Sequence, residues 1–179
     1  MIHVAVVGCG NIAHAHVEGL LTFPERCRIV ALCDIYPEKA EAMRQKYGLD
    51  CQVYDDHEKM LSSEHSIDLV HVCTPPYVHA EIAINAMNAG CNTVVEKPMA
   101  TCLAECDSML EAERRNQVTM ACIAQNRFRN SIYKLKRRRT VPWRGGSAAR
   151  MWIRCGGEVI AIMTCGGAAP GKKREAAPR

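Results

Sequence analysis

Residues 1–34 read MIHVAVVGCGNIAHAHVEGLLTFPERCRIVALCD, and their order decides the fold. His3 to Val7 is an apolar run with the β-branched richness of a buried parallel strand. It passes directly into Gly8-Cys9-Gly10-Asn11-Ile12-Ala13, a G-x-G-x-x-A loop. Ala13 to Leu21 has the pattern of a helix, and Arg28 to Cys33 is a second apolar strand ending in Asp34. Each position has a physical reason. Gly8 permits a turn too tight for a side chain, and Gly10 lets the backbone come close to a pyrophosphate. Ala13 is small enough for helix to pack on strand, and the free N–H groups at the helix start face phosphate. Asp34 can accept hydrogen bonds from ribose hydroxyls. Asn11, Ile12 and Ile35 are counted with these cofactor-binding positions. A glycine loop alone also serves as an ordinary turn. Strand, loop, helix, strand and acid in this order point to a dinucleotide.

The chain has 179 residues, long enough for one domain with a proper core and short for two. The first strand starts at the second residue with no basic stretch before it, so no signal peptide is expected. No apolar stretch is long enough to span a bilayer. Eleven cysteines raise the question of disulfides. Several, such as Cys33, Cys73 and Cys122, lie in apolar runs, where a free thiol acts as a small hydrophobe. No C-x-x-C pair occurs, which argues against a zinc or redox motif, and no metal site is expected. A cytoplasmic protein with reduced thiols is the resulting expectation. The net charge of +4 is unevenly spread: −4 up to Lys136 and +8 from Arg137 to Arg179.

Along the body, helix and strand patterns alternate. Pro37 to Tyr47 reads as a helix closed by Gly48, Cys51 to Tyr54 as a strand, and Asp56 to Leu61 as a short helix. Asp68 to Cys73 is a fourth strand, and Thr74-Pro75-Pro76 breaks the chain before a helix from about Val78 to Asn88. Asn92 to Val95 is the fifth strand, Leu103 to Arg115 an amphipathic helix, and Val118 to Ala124 the sixth strand. This succession predicts an α/β fold, a doubly wound parallel sheet with right-handed crossovers.

Ligands in such sheets bind beyond the carboxyl ends of the strands. There the sequence places Cys73-Thr74-Pro75-Pro76, Glu96-Lys97-Pro98 and Gln125-Asn126-Arg127. Thr74-Pro75-Pro76 is equally a stiff turn or a cofactor contact. His71, inside a strand, reads as structural, and His79 as a core or surface residue. Lys97 is a candidate proton donor or orienting cation for a substrate hydroxyl; taken alone, a surface ion pair is the better reading.

Taken together, Gly8-x-Gly10-x-x-Ala13, Asp34, Thr74-Pro75-Pro76 with His79, Glu96-Lys97-Pro98 and Gln125-Asn126-Arg127 resemble the amino-terminal domain of the Gfo/Idh/MocA oxidoreductases. The resemblance covers about Met1 to Tyr133. It implies a Rossmann domain followed by an open-faced α/β domain that carries much of the substrate site and the oligomer surface. It also implies reversible hydride transfer between NAD(P) and a carbinol carbon of a sugar, cyclitol or related polyol. By it, Lys97 is the catalytic residue, near the reacting hydroxyl and the nicotinamide. Cys73 to Pro76, His79, Glu96, Lys97 itself, Pro98, Gln125 and Asn126 join the cofactor positions. Asp34 favours NAD, since a carboxylate repels the 2′-phosphate of NADP.

After Lys136 the family pattern stops. Seven of the twelve glycines lie in this tail, and no second domain can be assembled from it. The expected organisation is a Rossmann domain over 1–124, an interdomain segment over 125–136 and an irregular basic tail over 137–179. Three accounts of the tail stand open: a second domain read out of frame, a basic extension, and a nucleic-acid-binding arm. The last lacks a motif, and Trp143 and Trp152 are too sparse for a stacking platform. The expectation is a truncated enzyme that binds cofactor with little turnover and does not form the family homo-oligomer. The alternative is a non-catalytic nucleotide-binding or partner-binding module.

Overall fold

The computed structural model describes residues 1–63 and 66–132, together with two short strands at 153–155 and 158–160. Chain contacts divide it into two units, Met1–Tyr133 and Lys134–Arg179. In the second unit β7 (Ile153–Cys155) and β8 (Glu158–Ile160) pair antiparallel. Apart from them, the expected tail over 137–179 lies outside the described residues, as does the end of the segment expected over 125–136.

The first unit is built on six parallel strands: β1 (Ile2–Val7), β2 (Cys27–Cys33), β3 (Gln52–Tyr54), β4 (Leu69–Val72), β5 (Asn92–Val95) and β6 (Met120–Cys122). Their order across the sheet is β3-β2-β1-β4-β5-β6. The chain winds outward one way from β1 through β3, then crosses back beside β1 and winds the other way from β4. That order is the doubly wound Rossmann sheet, and its crevice opens between β1 and β4. Val7 lies opposite Cys33 on one side and Val72 on the other, so the ends of these three strands are level.

Helices α1 (Asn11–Leu21), α2 (Pro37–Tyr47), α3 (His57–Ser63), α4 (His79–Asn88) and α5 (Leu103–Asn116) cover the sheet. Side chains alternate along each strand, so β1 feeds two cores. Ala5 and Val7 pack with Val70, Val72, Met87 and Met109, whereas Val6 packs with Leu32, Ala13, Val17 and Met43. Fully burying one such side chain contributes about 1.5–3 kcal/mol. Both faces of the central strands are therefore apolar, which is why they read as continuous runs rather than alternations.

The element bounds differ from the sequence reading in informative places. α1 starts at Asn11, not Ala13, so Asn11 and Ile12 already belong to the helix. A 3₁₀ turn at Pro76–Val78 precedes α4, which starts at His79. β6 is only three residues long, because it is an edge strand paired with β5 alone. Cys122, read as an apolar-run thiol like Cys33 and Cys73, is exposed, whereas those two are buried. The nine described cysteines are free thiols. Among the described residues no helix is long and apolar enough to cross a membrane.

Candidate functional site

The loops that leave the carboxyl ends of β1, β2, β4, β5 and β6 carry the residues singled out in the sequence. Gly8 follows β1 with φ +89°, a conformation side chains resist. A Cβ on Gly8 would stand 2.8 Å from the backbone of Cys73 and Thr74, so the loops after β1 and β4 touch there. Gly10 is different. Its φ of −81° suits any residue, and a Cβ there would meet nothing within 4 Å. Neither backbone conformation nor packing among the described residues requires this glycine.

Gly10 caps α1 without a side-chain hydrogen bond, and the first turn of the helix carries no acid. The N-terminus of α1 thus presents amide groups and the positive end of the helix dipole to open space. Ala13 is fully buried against the sheet, while Ile12 stands half-exposed at the rim.

Asp34 closes the other side. One carboxylate oxygen accepts the Cys9 N–H at 2.7 Å, and the other accepts the Tyr36 N–H at 2.9 Å. The acid therefore shapes the glycine loop while its remaining lone pairs stay available. Ile35 beside it is 78 % exposed. The Cys9 thiol is pushed up to about 12 by its burial first and by the Asp34 charge second, so it stays protonated.

After β4, Cys73 donates its N–H to Val7 O at 2.7 Å, and the Thr74 hydroxyl is buried with no hydrogen-bond partner. Pro75 and Pro76 lead into the turn before α4. His79, at the start of α4, is fully buried. Its Nε2 lies 2.7 Å from Thr74 O and its Nδ1 2.9 Å from Pro98 O. One ring thus clasps the loops after β4 and β5, rather than standing open at the surface.

After β5, Glu96 is buried and Lys97 and Pro98 are exposed. The Glu96 carboxylate accepts the Lys97 N–H at 3.0 Å and the His16 Nε2–H at 3.0 Å. Lys97 is thus held through its backbone, with its side chain exposed. After β6, Gln125 and Asn126 lie in a 3₁₀ turn, Gln125–Phe128, whose backbone hydrogen bonds are local. No described hydrogen bond joins them to the other loops.

Sequence reasoning missed His16. It lies one turn beyond the glycine loop, on the side of α1 that also carries the buried Ala13 and Val17. Its place three residues after Ala13, on the expected packing side of the helix, gave no indication of its partners. His71, read as structural, is its neighbour: the two Nδ1 atoms are 2.8 Å apart.

Comparison with known proteins places the fold in a family. Residues 2–123 match the Gfo/Idh/MocA family, described as an oxidoreductase family with an NAD-binding Rossmann fold. Inositol 2-dehydrogenase of Salmonella typhimurium is 29 % identical over 136 residues, 75 % of this chain and 40 % of that protein. D-glucoside 3-dehydrogenase of Escherichia coli is 30 % identical over 158 residues, 87 % of this chain and 44 % of that protein. The WlbA dehydrogenase of Chromobacterium violaceum, solved with NADH and UDP-GlcNAcA, superposes with a TM-score of 0.72 at 30 % identity. That match covers 76 % of this chain and 39 % of the other. The chain therefore spans about 40 % of the length of the relatives it matches. Through residues 2–123, the chain belongs to the Gfo/Idh/MocA oxidoreductase family.

Proposed function

We propose that this chain binds a nicotinamide dinucleotide, NAD in preference to NADP, at the carboxyl ends of β1, β2, β4 and β5. The observation that carries the reading is Gly10. It is a glycine that the protein itself does not need, at an uncapped helix N-terminus, with a carboxylate across the loop. A pyrophosphate is the group for which bare backbone at that point matters. The residues present fit the cofactor, and the buried, unpartnered Thr74 hydroxyl adds a polar atom without a protein partner beside the same loop.

When bound, the nicotinamide supplies hydride chemistry. The chain's own residues supply the rest. The amides at the start of α1 hold phosphate, and Asp34 accepts the ribose hydroxyls and repels a 2′-phosphate. Lys97, exposed and anchored through Glu96, directs its ammonium at a substrate hydroxyl and lowers the cost of removing its proton. The substrate class is a sugar, cyclitol or related polyol. The chain acts as the cofactor-binding part of such an enzyme, with little turnover by itself and without the family oligomer.

Titrating NADH against the 179-residue chain and following its fluorescence tests the binding. Assaying hydride transfer over a panel of polyols tests the rest. Saturable NADH binding without turnover supports the proposal. Polyol turnover refutes the truncated reading, and absence of heat with either dinucleotide in calorimetry on folded material refutes the cofactor site.

A further inference from the structure

Beneath the cofactor loops, three side chains from three elements form one line, the two histidines partly buried and Glu96 buried. His71 projects from β4, His16 from the second turn of α1, and Glu96 follows β5. The His71 and His16 Nδ1 atoms are 2.8 Å apart, and His16 Nε2 is 3.0 Å from one Glu96 oxygen. The two rings meet edge to face with centroids 5.1 Å apart. The His16 and Glu96 side chains are 8 % and 7 % exposed. Glu96's second oxygen then receives the Lys97 N–H. Each of these groups has a partner in the line, which offsets the desolvation penalty that a buried polar group left unpaired pays in full.

We propose that His16 is a positioning residue. It ties the helix carrying the glycine loop to the carboxylate that fixes the Lys97 backbone, with His71 setting its orientation. The hydrogen count supports this. A contact between two Nδ1 atoms accommodates one hydrogen, and Glu96 requires one on His16 Nε2. With both rings neutral, His71 Nδ1–H donates to His16, and His16 Nε2–H donates to Glu96. If His16 takes a further proton, the hydrogen between the rings becomes its own and His71 carries its hydrogen on Nε2. The heavy atoms need not move in either case. Burial, and then the neighbouring His16, push the His71 ring down to about 4, so His71 remains the neutral member. The chain of contacts thus holds the helix and the Lys97 loop in one register in either state. The consequence for cofactor binding rests on the dinucleotide reading above, whereas the linkage itself does not.

Two replacements separate the two ends of the imidazole. Glutamine places a nitrogen where Nε2 was, and asparagine where Nδ1 was. In His16→Gln the contact to Glu96 persists, and in His16→Asn it is lost. The first readout is amide hydrogen exchange at Lys97 in the 179-residue chain without cofactor. Exchange should accelerate about tenfold in His16→Asn, relative to the amides of β5, and stay near wild type in His16→Gln. NADH affinity should fall in the same order. In wild type, ring-labelled histidine should show a through-hydrogen-bond ¹⁵N–¹⁵N coupling between His16 and His71. Equal Lys97 exchange in the two variants, or absence of that coupling, overturns the proposal. If the wild-type chain binds no NADH, the dinucleotide reading fails, and the exchange and coupling measurements still decide the linkage.

Discussion

At the residue scale, Gly8 and Gly10 sit two positions apart and are glycine for different reasons. Gly8→Ala forces a side chain into a left-handed backbone and to within 2.8 Å of the Cys73–Thr74 backbone. It should destabilise the fold by about 2–4 kcal/mol, read as a lowered urea midpoint. Gly10→Ala meets no protein atom, so its urea midpoint should stay at the wild-type value while NADH binding drops steeply. A Gly10→Ala chain that binds NADH normally would remove the pyrophosphate from this loop. Asp34 divides in the same way, because it anchors Cys9 N–H as well as carrying a charge. Asp34→Asn keeps an acceptor for that amide and removes the charge. The NAD-to-NADP affinity ratio should fall about tenfold, with NAD binding only modestly weakened. Asp34→Ala should weaken both dinucleotides, since the loop also loses its anchor. Comparative calorimetry of the two variants distinguishes the roles.

At the scale of elements, the site is assembled by short polar clasps between loops whose strands are held apart by the sheet. His79, the first residue of α4, is within hydrogen-bonding distance of the carbonyls of Thr74 and Pro98, from the loops after β4 and β5. His79→Leu keeps the ring's apolar volume approximately and removes the ring N–H that one of these two carbonyls accepts. The expected loss is about 1–3 kcal/mol of stability, with faster amide exchange in both loops. A variant as stable as wild type would show that the two loops are held by other contacts. β6 illustrates the reverse case. As an edge strand it has one paired side, and its Cys122 faces outward.

At the scale of the whole molecule, burying a histidine network links stability to pH. The His71 ring, ordinarily titrating near 6.5, takes a proton in the folded chain only near 4. Between those values the unfolded chain binds more protons than the folded one. The contribution is therefore intact above about pH 6.5 and is lost as pH falls toward 4, by up to about 3 kcal/mol. His71→Gln should flatten this part of the curve, which urea midpoints at pH 7 and pH 4.5 will show; an unchanged slope would place His71 outside the acid response. The core also protects its thiols. Burial first, then nearby carboxylates, push Cys33 up to about 12, and burial with Glu96 drives Cys73 still higher. Alkylation of the folded chain at pH 8, mapped by mass spectrometry, should label the exposed Cys102 quickly and Cys9, Cys33 and Cys73 only after unfolding.

The readings of local structure held where a residue's conformation depends on its immediate neighbours in the chain. Gly8, Gly10, Ala13 and Asp34 were legible because a turn, a helix start and a strand end are short-range features. The order of strands and helices was legible because buried parallel strands are apolar throughout. Element ends were read less well at Asn11, Met120 and His79, where pairing partners and turns set the limits. The distant contacts were invisible: His16 is 55 residues from His71 and 80 from Glu96. A single histidine in a helix has no pattern of its own. Only when β1 and β4 come side by side, with β5 beyond, do the three side chains meet and share hydrogens. The chain's order therefore determined a dinucleotide-type fold and where its loops emerge. The tertiary structure decided which buried polar groups complete one another, because hydrogen bonding in the core is a matter of proximity in space and not of spacing along the chain.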